Sequence, residues 1–347
     1  MSSSDRIIVL GASAGGVETL KEVLCELPAD FPAALFVVLH IPPYQPSQLP
    51  KILSDCGRLK AVHPSDGDGI KTGHIYVAPP DHHLLIDHGR IAITKGPKEN
   101  RFRPSIDALF RSAAHSFGSR AVGVILSGAL DDGTSGLWSI KRVGGTAVVQ
   151  QPSDARFESM PKSALEYGDA DYTLSAGEIG ALLPRLVSNN AAEPTAVDEE
   201  LNSRMEKEID IAQEGNAFRK GFMKFGELSP FTCPECHGAL VRLVEGRMSR
   251  FRCHTGHGYT DNALLEGIME TTGEQLWQVM RSLEEAVMLL HEMGCNLDKA
   301  GDAGRAKVFF DKGQDLEKRS RKFHDLVLGH ESLSGDNLGQ LQQGSAS

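Results

Sequence analysis

The sequence contains no apolar run approaching the roughly 20 residues of a membrane-spanning helix, so no membrane insertion is expected. Its first residues, Met1-Ser2-Ser3-Ser4-Asp5, lack the basic region and apolar core of a signal peptide, and a cytoplasmic location is expected. A basic excess is also missing. Thirty-six Lys and Arg face 46 Asp and Glu, a formal charge of −10, which argues against general nucleic-acid binding. Cysteine is sparse and uneven: Cys25, Cys56 and Cys295 are scattered, whereas Cys233, Cys236 and Cys253 share one segment. That is a poor disulfide framework and a better metal site, consistent with a reducing compartment. The remaining composition, 40% hydrophobic and 24% charged, is that of an ordinary globular protein, and 347 residues favour two domains.

The most informative stretch is Ile7-Ile8-Val9-Leu10-Gly11-Ala12-Ser13-Ala14-Gly15-Gly16. Four apolar residues suit a strand buried on both faces, and the small residues after them suit a tight turn into a helix. Glycines around Ser13 permit backbone angles that hold a serine exposed above the strand end, as a nucleophile must be. A dinucleotide-binding loop would need glycine where Ser13 stands and an acidic residue closing the second strand. The second strand, residues 34–39, instead ends in His40. Both departures point to a Ser/His pair.

Through about residue 186, strand-like and helix-like segments alternate. Helices are expected around 15–27, 49–56, 105–117 and 136–143, and strands at 7–10, 34–39, 74–78, 121–126 and 145–150. Residues 83–86 and 91–94 flank a turn and read as a hairpin. This predicts an α/β fold with a doubly wound, mostly parallel sheet and an inserted β-hairpin. The reactive edge of such a sheet is the carboxyl end of its strands. Ser13, His40 and the segment Ser127-Gly128-Ala129-Leu130-Asp131-Asp132-Gly133 all fall on that edge. A hydroxyl, an imidazole and a carboxylate there are the parts of a nucleophilic triad.

Residues 5–186 resemble the catalytic domain of the chemotaxis protein-glutamate methylesterases. The matching pieces are residues 11–16, His40-Ile41-Pro42, residues 76–83, Arg103-Pro104-Ser105-Ile106-Asp107, and Leu126-Ser127-Gly128 with Asp132-Gly133. The resemblance implies that Ser13 is the nucleophile, His40 the base and Asp132 the orienting carboxylate, with Asp131 the less favoured neighbour. It implies hydrolysis of glutamate methyl esters on a methylated chemoreceptor through an acyl-enzyme, glutamine deamidation by the same chemistry, and no cofactor for catalysis. Amides near Ala14 and Ala129 are expected to form the oxyanion hole, although Ala129 stands where the family usually has methionine. The family's usual receiver domain does not fit ahead of Ile7, which leaves constitutive activity, gating by a separate regulatory protein and restraint by the C-terminal module all open. Met160 is a candidate substrate contact, Arg103 reads as part of a helix start, and His82 and His83 carry no assigned chemistry. A catalytically silent partner-binding module is the alternative reading.

Residues 187–228 read as a linker with a short helix. Residues 229–262 read as a zinc-ribbon-like module with Cys233, Cys236, Cys253 and His257 as ligands; His254 is the competing fourth ligand. Thiolates and imidazole at this spacing suit structural zinc. Residues 263–330 carry two apolar stripes at helical spacing and read as a helical hairpin, and 331–347 as a disordered tail.

Overall fold

The computed structural model describes residues 6–188 and 198–330. Its centre is a seven-stranded sheet in the order β3-β4-β2-β1-β7-β8-β9, with every pairing parallel. The strands are β1 (Ile7–Ala12), β2 (Ala34–Leu39), β3 (Lys60–Val62), β4 (His74–Val77), β7 (Ala121–Ile125), β8 (Thr146–Gln150) and β9 (Tyr172–Leu174). The order reverses at β1, which pairs with β2 on one side and β7 on the other. A doubly wound sheet opens its ligand crevice at such a reversal. Strands β3 and β9, three residues each, are too short to leave a periodic signal and were not expected from the sequence.

Side chains alternate between the two faces. Ile8, Leu10, Leu35, Val37, Val122 and Val124 share one core with α1 (Gly16–Leu24), α2 (Leu49–Cys56) and α6 (Ala176–Ser188). Ile7, Val9, Phe36, Val38 and Ile125 share the other with α3 (Ile106–Phe117), α4 (Thr134–Arg142) and α5 (Ser159–Tyr167). Truncating one of these side chains to alanine typically costs about 2–5 kcal/mol. Strands β5 (His83–Asp87) and β6 (Arg90–Thr94) form the separate antiparallel hairpin, tied to α3 where Ser112 Oγ accepts from the Ile86 amide. Cys25 and Cys56 form a disulfide that joins the ends of α1 and α2. The reading of those two cysteines as scattered thiols is therefore corrected. Their helices pack together on one sheet face, which a separation of 31 residues conceals.

The segment read as a linker is also different. Helix α7 (Glu199–Glu214) lies against α3 and the β5–β6 hairpin, where Thr94 Oγ1 donates to the Ala212 carbonyl and Gln213 to Asp87. The ribbon is an antiparallel sheet of β10 (Glu227–Thr232), β11 (Ala239–Glu245), β12 (Met248–Cys253) and β13 (Gly258–Thr260). The α/β segment, α7 and the ribbon meet in a buried ionic cluster. Arg111 of α3 pairs with Glu99 and Glu208; Arg250 pairs with Glu99, Glu208 and Glu245; Arg252 pairs with Glu99 and Glu208. Residues through Leu264 accordingly form one compact unit.

Burial opposes ionisation of Glu99, but Arg111, Arg252 and Arg250 override it and hold the carboxyl down at about 2; Glu208 is held low in the same way. A carboxyl depressed on folding stabilises above its unfolded pKa, about 4.3, and that stabilisation is lost as pH falls towards the folded value. Urea midpoints are therefore expected to fall steeply between about pH 4.5 and 2, and to fall less when Glu99 is replaced by glutamine.

From Leu265 onward the chain forms a second unit. The part of α8 (Asp261–Lys299) from Leu265 onward and α9 (Ala303–His330) form an antiparallel hairpin turning at Gly301, with Gly294 against Phe310 and Gly313 against Leu290. Residues 189–197 of the expected linker, and the whole of the expected tail at 331–347, lie outside the described residues.

Candidate active site

Ser13 follows directly on β1. Its amide donates to the Ser127 carbonyl at 3.0 Å, which ties the first turn to the loop after β7. Gly15 has φ 71°, a left-handed backbone that other residues resist, and a Cβ there would lie 3.0 Å from Ser127 Oγ. At Gly128 a Cβ would lie 2.9 Å from that of Ser13 and 2.6 Å from Met160 Cε. Both glycines let two loops pass close enough to present one hydroxyl. Met160 is fully buried beneath Gly128, so the expectation that it touches substrate is corrected: it packs the floor of the loop.

His40 closes β2, and its amide donates to the Ala12 carbonyl at 3.2 Å. Its ring lies between the other two groups, with Nδ1 3.1 Å from Ser13 Oγ and Nε2 2.9 Å from Asp132 Oδ2. Asp132 is an obligate acceptor when ionised, so Nε2 carries the proton and Nδ1 is free to accept from serine. Phe102 stacks on the imidazole, with centroids 3.8 Å apart and planes 9° from parallel.

Asp132 is wholly buried and saturated with donors. Oδ2 accepts from His40 and from the Ile106 amide at 2.7 Å; Oδ1 accepts from Asn100 Nδ2 at 2.8 Å, Ser105 Oγ at 2.9 Å and the Asp107 amide at 3.3 Å. Two of those amides open α3, where a helix carries partial positive charge. Burial would raise Asp132, but the bonds from His40, Ile106 and Asn100 outweigh it and keep the group below the usual carboxylate range. Asp107 is the converse. Burial and the neighbouring Asp132 charge push it up to about 8. Asp131 turns away from His40 towards Thr260 and Asn262, and burial raises it to about 6.

The Ser13 and Gly128 amides are already committed, Gly128 to the Phe157 carbonyl at 3.1 Å. The amides of Ala14 and Ala129 carry no such bond among the described residues. Ala129 is exposed, and Leu130 beside it has φ 62°. The site thus brings together a hydroxyl, an imidazole nitrogen free to accept from it, a carboxylate against the other ring nitrogen, and two nearby amides with no backbone partner among the described residues, the parts that nucleophilic attack on a carbonyl requires.

Asn100, Phe102, Ser105 and the amides of Ile106 and Asp107 were missed as site residues. The Arg103-Pro104-Ser105-Ile106-Asp107 motif, one of the pieces that carry the family resemblance, is a signal for Ser105, Ile106 and Asp107, although its residues also read as a helix start; Asn100 and Phe102 lie outside it. Arg103 itself clamps structure, donating to Asp81 Oδ1 and the Gly96 carbonyl. His83 is buried between the Pro97 carbonyl and the Ser105 amide, and His82 bonds to the Pro80 carbonyl.

A second constellation lies in the ribbon. The ligand atoms of Cys233, Cys236, Cys253 and His257 all fall within 4.8 Å of one another. Cys236 and Cys253 sulfurs are 3.6 Å apart, and His257 Nδ1 is 3.6 Å from the sulfurs of Cys233 and Cys253. A tetrahedron with Zn–S bonds of about 2.3 Å has edges of about 3.8 Å, so the donor set fits zinc. His254 stands outside the cluster, against Gly238 and Thr255.

The CheB methylesterase family model matches residues 8–183, ending before α7 and the ribbon. A Leptospira interrogans relative is 41% identical over 184 residues, which cover 53% of this chain and 95% of its own. The Thermotoga maritima protein-glutamate methylesterase/protein-glutamine glutaminase is 36% identical over 188 residues, 53% of this chain and 55% of the relative. The crystal structure of the Thermotoga maritima CheB methylesterase catalytic domain aligns with TM-score 0.51 at 36% identity, over 53% of this chain and all of that one. With the matched residues spanning the whole seven-stranded sheet, the chain belongs to the CheB methylesterase family.

Proposed function

We propose that this protein hydrolyses glutamate methyl esters on a methylated chemoreceptor or similar signalling protein, with Ser13 as nucleophile, His40 as general base and acid, and Asp132 as orienter. The observation that carries the reading is the hydrogen-bonded relay from Ser13 Oγ through His40 to Asp132. Ser13 Oγ attacks the ester carbonyl while Nδ1 takes its proton. The charged ring then gives that proton to the leaving methoxide, and methanol departs. Water, deprotonated by the same nitrogen, releases the glutamate and restores the serine. Ala14 and Ala129 amides are suited to the oxyanion, and removal of one such donor typically costs about 3 kcal/mol. A glutamine side chain attacked in the same way would release ammonia, in line with the double name of the Thermotoga relative. No helix among the described residues is long and apolar enough to cross a membrane. The test is methanol release from a methylated receptor fragment by the full chain; release no faster than from buffer alone would sink the reading.

We further propose a structural zinc on Cys233, Cys236, Cys253 and His257. Bound there, zinc would join the two knuckles of a sheet too small to hold itself by its core. With Cys233, Cys236, Cys253 and His257 as its four ligands, a bound zinc would have no position left for substrate. Elemental analysis is expected to give one zinc per chain, falling to near none in a Cys233→Ser, Cys236→Ser double variant.

A further inference from the structure

One loop serves two of the three triad residues. Residues 98–102 carry Asn100, which holds Asp132, and Phe102, which stacks on His40. Within the loop Glu99 and Phe102 bond to each other, the Glu99 amide to the Phe102 carbonyl at 3.2 Å and the Phe102 amide to the Glu99 carbonyl at 2.9 Å, and the turn they close is held from outside as well. Asn100 and Arg101 both have left-handed backbone, with φ 50° and 73°. Its backbone is hydrogen-bonded to the ribbon: the Asn100 amide donates to the Gly258 carbonyl at 2.8 Å, and the Gly258 amide to the Lys98 carbonyl at 3.2 Å. Glu99 and Gly258 form a parallel bridge.

The Asn100 side chain is fully used. One carboxamide proton set faces Asp132 Oδ1 and Asp107 Oδ2, each at 2.8 Å, and its carbonyl oxygen accepts from the Thr260 amide at 2.9 Å. Turning the amide over would aim its oxygen at two carboxylates and its NH₂ at another N–H. The ribbon's Thr260 and the two carboxylates therefore fix one orientation together. Thr260 Oγ1 and Asn262 also donate to Asp131, the neighbour of the triad carboxylate, at 2.7 and 3.1 Å. Upstream, residues 253–257 hold two of the four proposed zinc ligands and lead straight into β13.

We propose that Asn100 is a positioning residue for Asp132, and that the ribbon holds it in place through Gly258 and Thr260. The ribbon is then a working part of the esterase. This inference rests on the reading of Ser13, His40 and Asp132 as the triad. It also sets the sign of the ribbon's effect. Among the described residues, the hydrogen bonds and ion pairs of residues 227–264 to the catalytic segment run to positions such as Lys98, Glu99, Asn100, Asp131 and Ser135, and none runs to Ser13, Ala14, Ala129, Arg156 or Phe157. Loosening the ribbon withdraws support and does not uncover the nucleophile, so it lowers activity.

The experiment uses the full chain. Asn100→Gly tolerates the left-handed backbone and deletes the carboxamide; kcat is expected to fall on the order of 100-fold with KM little changed. Asn100→Asp keeps the shape but places a third carboxylate beside Asp132 and Asp107. It is expected to move the acid limb of the pH–rate profile to higher pH, because the added charge stabilises the protonated imidazole; a merely structural lesion would lower the rate without that move. In the third arm, zinc is removed with 1,10-phenanthroline and amide hydrogen exchange is followed. Exchange at Asn100 and Thr260 is expected to quicken by at least about tenfold while kcat falls, with both restored by added zinc. The positioning role is overturned by Asn100→Gly turning over at the wild-type rate. Ribbon control is overturned by unchanged exchange at Asn100 after zinc removal, or by faster exchange with unaltered kcat. A wild-type chain that releases no methanol and whose Ser13 resists a fluorophosphonate defeats the esterase reading instead, and the exchange arm still reports on the ribbon.

Discussion

Ser13→Ala is expected to lower kcat for methyl-ester hydrolysis on the order of 10⁶-fold, close to the loss of the whole relay, because nucleophile and base act as a unit. Receptor binding should be little changed, since the hydroxyl contributes one hydrogen bond at the end of β1. Asp132→Asn should fall on the order of 10⁴-fold. An asparagine turned to donate to Nε2 would leave the ring proton on Nδ1, the atom 3.1 Å from Ser13 Oγ that must be empty to act as base. It would also set that NH₂ against the Ile106 amide, which donates to the same oxygen of Asp132, whereas turning the amide over would set the NH₂ against Asn100, Ser105 and Asp107. The measurement is steady-state methanol release, with circular dichroism to establish that both variants fold. A Ser13→Ala protein within tenfold of wild type would favour the silent binding module over the enzyme.

Glu208→Ala is expected to be the most damaging single change to stability. Glu208 is 1% exposed and pairs with Arg111, Arg250 and Arg252, all nearly without solvent contact. A buried ion pair adds little by existing, but deleting one partner leaves the others desolvated and uncompensated, at a cost of about 3–5 kcal/mol. That is a large fraction of the roughly 5–15 kcal/mol that holds a protein folded. The expected readout is a urea midpoint shifted sharply down, with the ribbon and α7 released first. A shift no larger than that of the exposed i,i+4 pair variant Glu317→Ala would show that Glu208 is not a keystone of the cluster.

These two expectations differ in how far the sequence foretold them. Ser13, His40 and the Asp131-Asp132 pair could be placed on one edge because each directly follows an apolar strand, and strand ends in a parallel sheet face the same way. In the ribbon, spacing singles out Cys233, Cys236 and Cys253 and leaves His257 and His254 competing for the fourth place; the cluster of candidate donors contains His257. Glu208, Arg250 and Arg252 could not be placed from the sequence. Along the chain they belong to charged segments indistinguishable from a solvated helix face and an ordinary strand, and the partner that unites them, Glu99, lies over 100 residues away. Asn100 failed for a related reason. Its neighbours Lys98, Glu99 and Arg101 read as a polar turn, and its purpose appears only when β13 arrives to set its carbonyl. Local pattern reports which elements form and which way they face. It is silent on pairings made by a later part of the chain.

The central claim is that one hydroxyl carries the acyl group. The most direct measurement incubates the protein with a peptide bearing a glutamate methyl ester, quenches in acid and maps adducts by mass spectrometry. The account expects the peptide acyl, less methanol, on Ser13 in the wild type and on no residue in Ser13→Ala. Steady methanol release with the adduct on another residue, or undiminished release from the alanine variant, would contradict it.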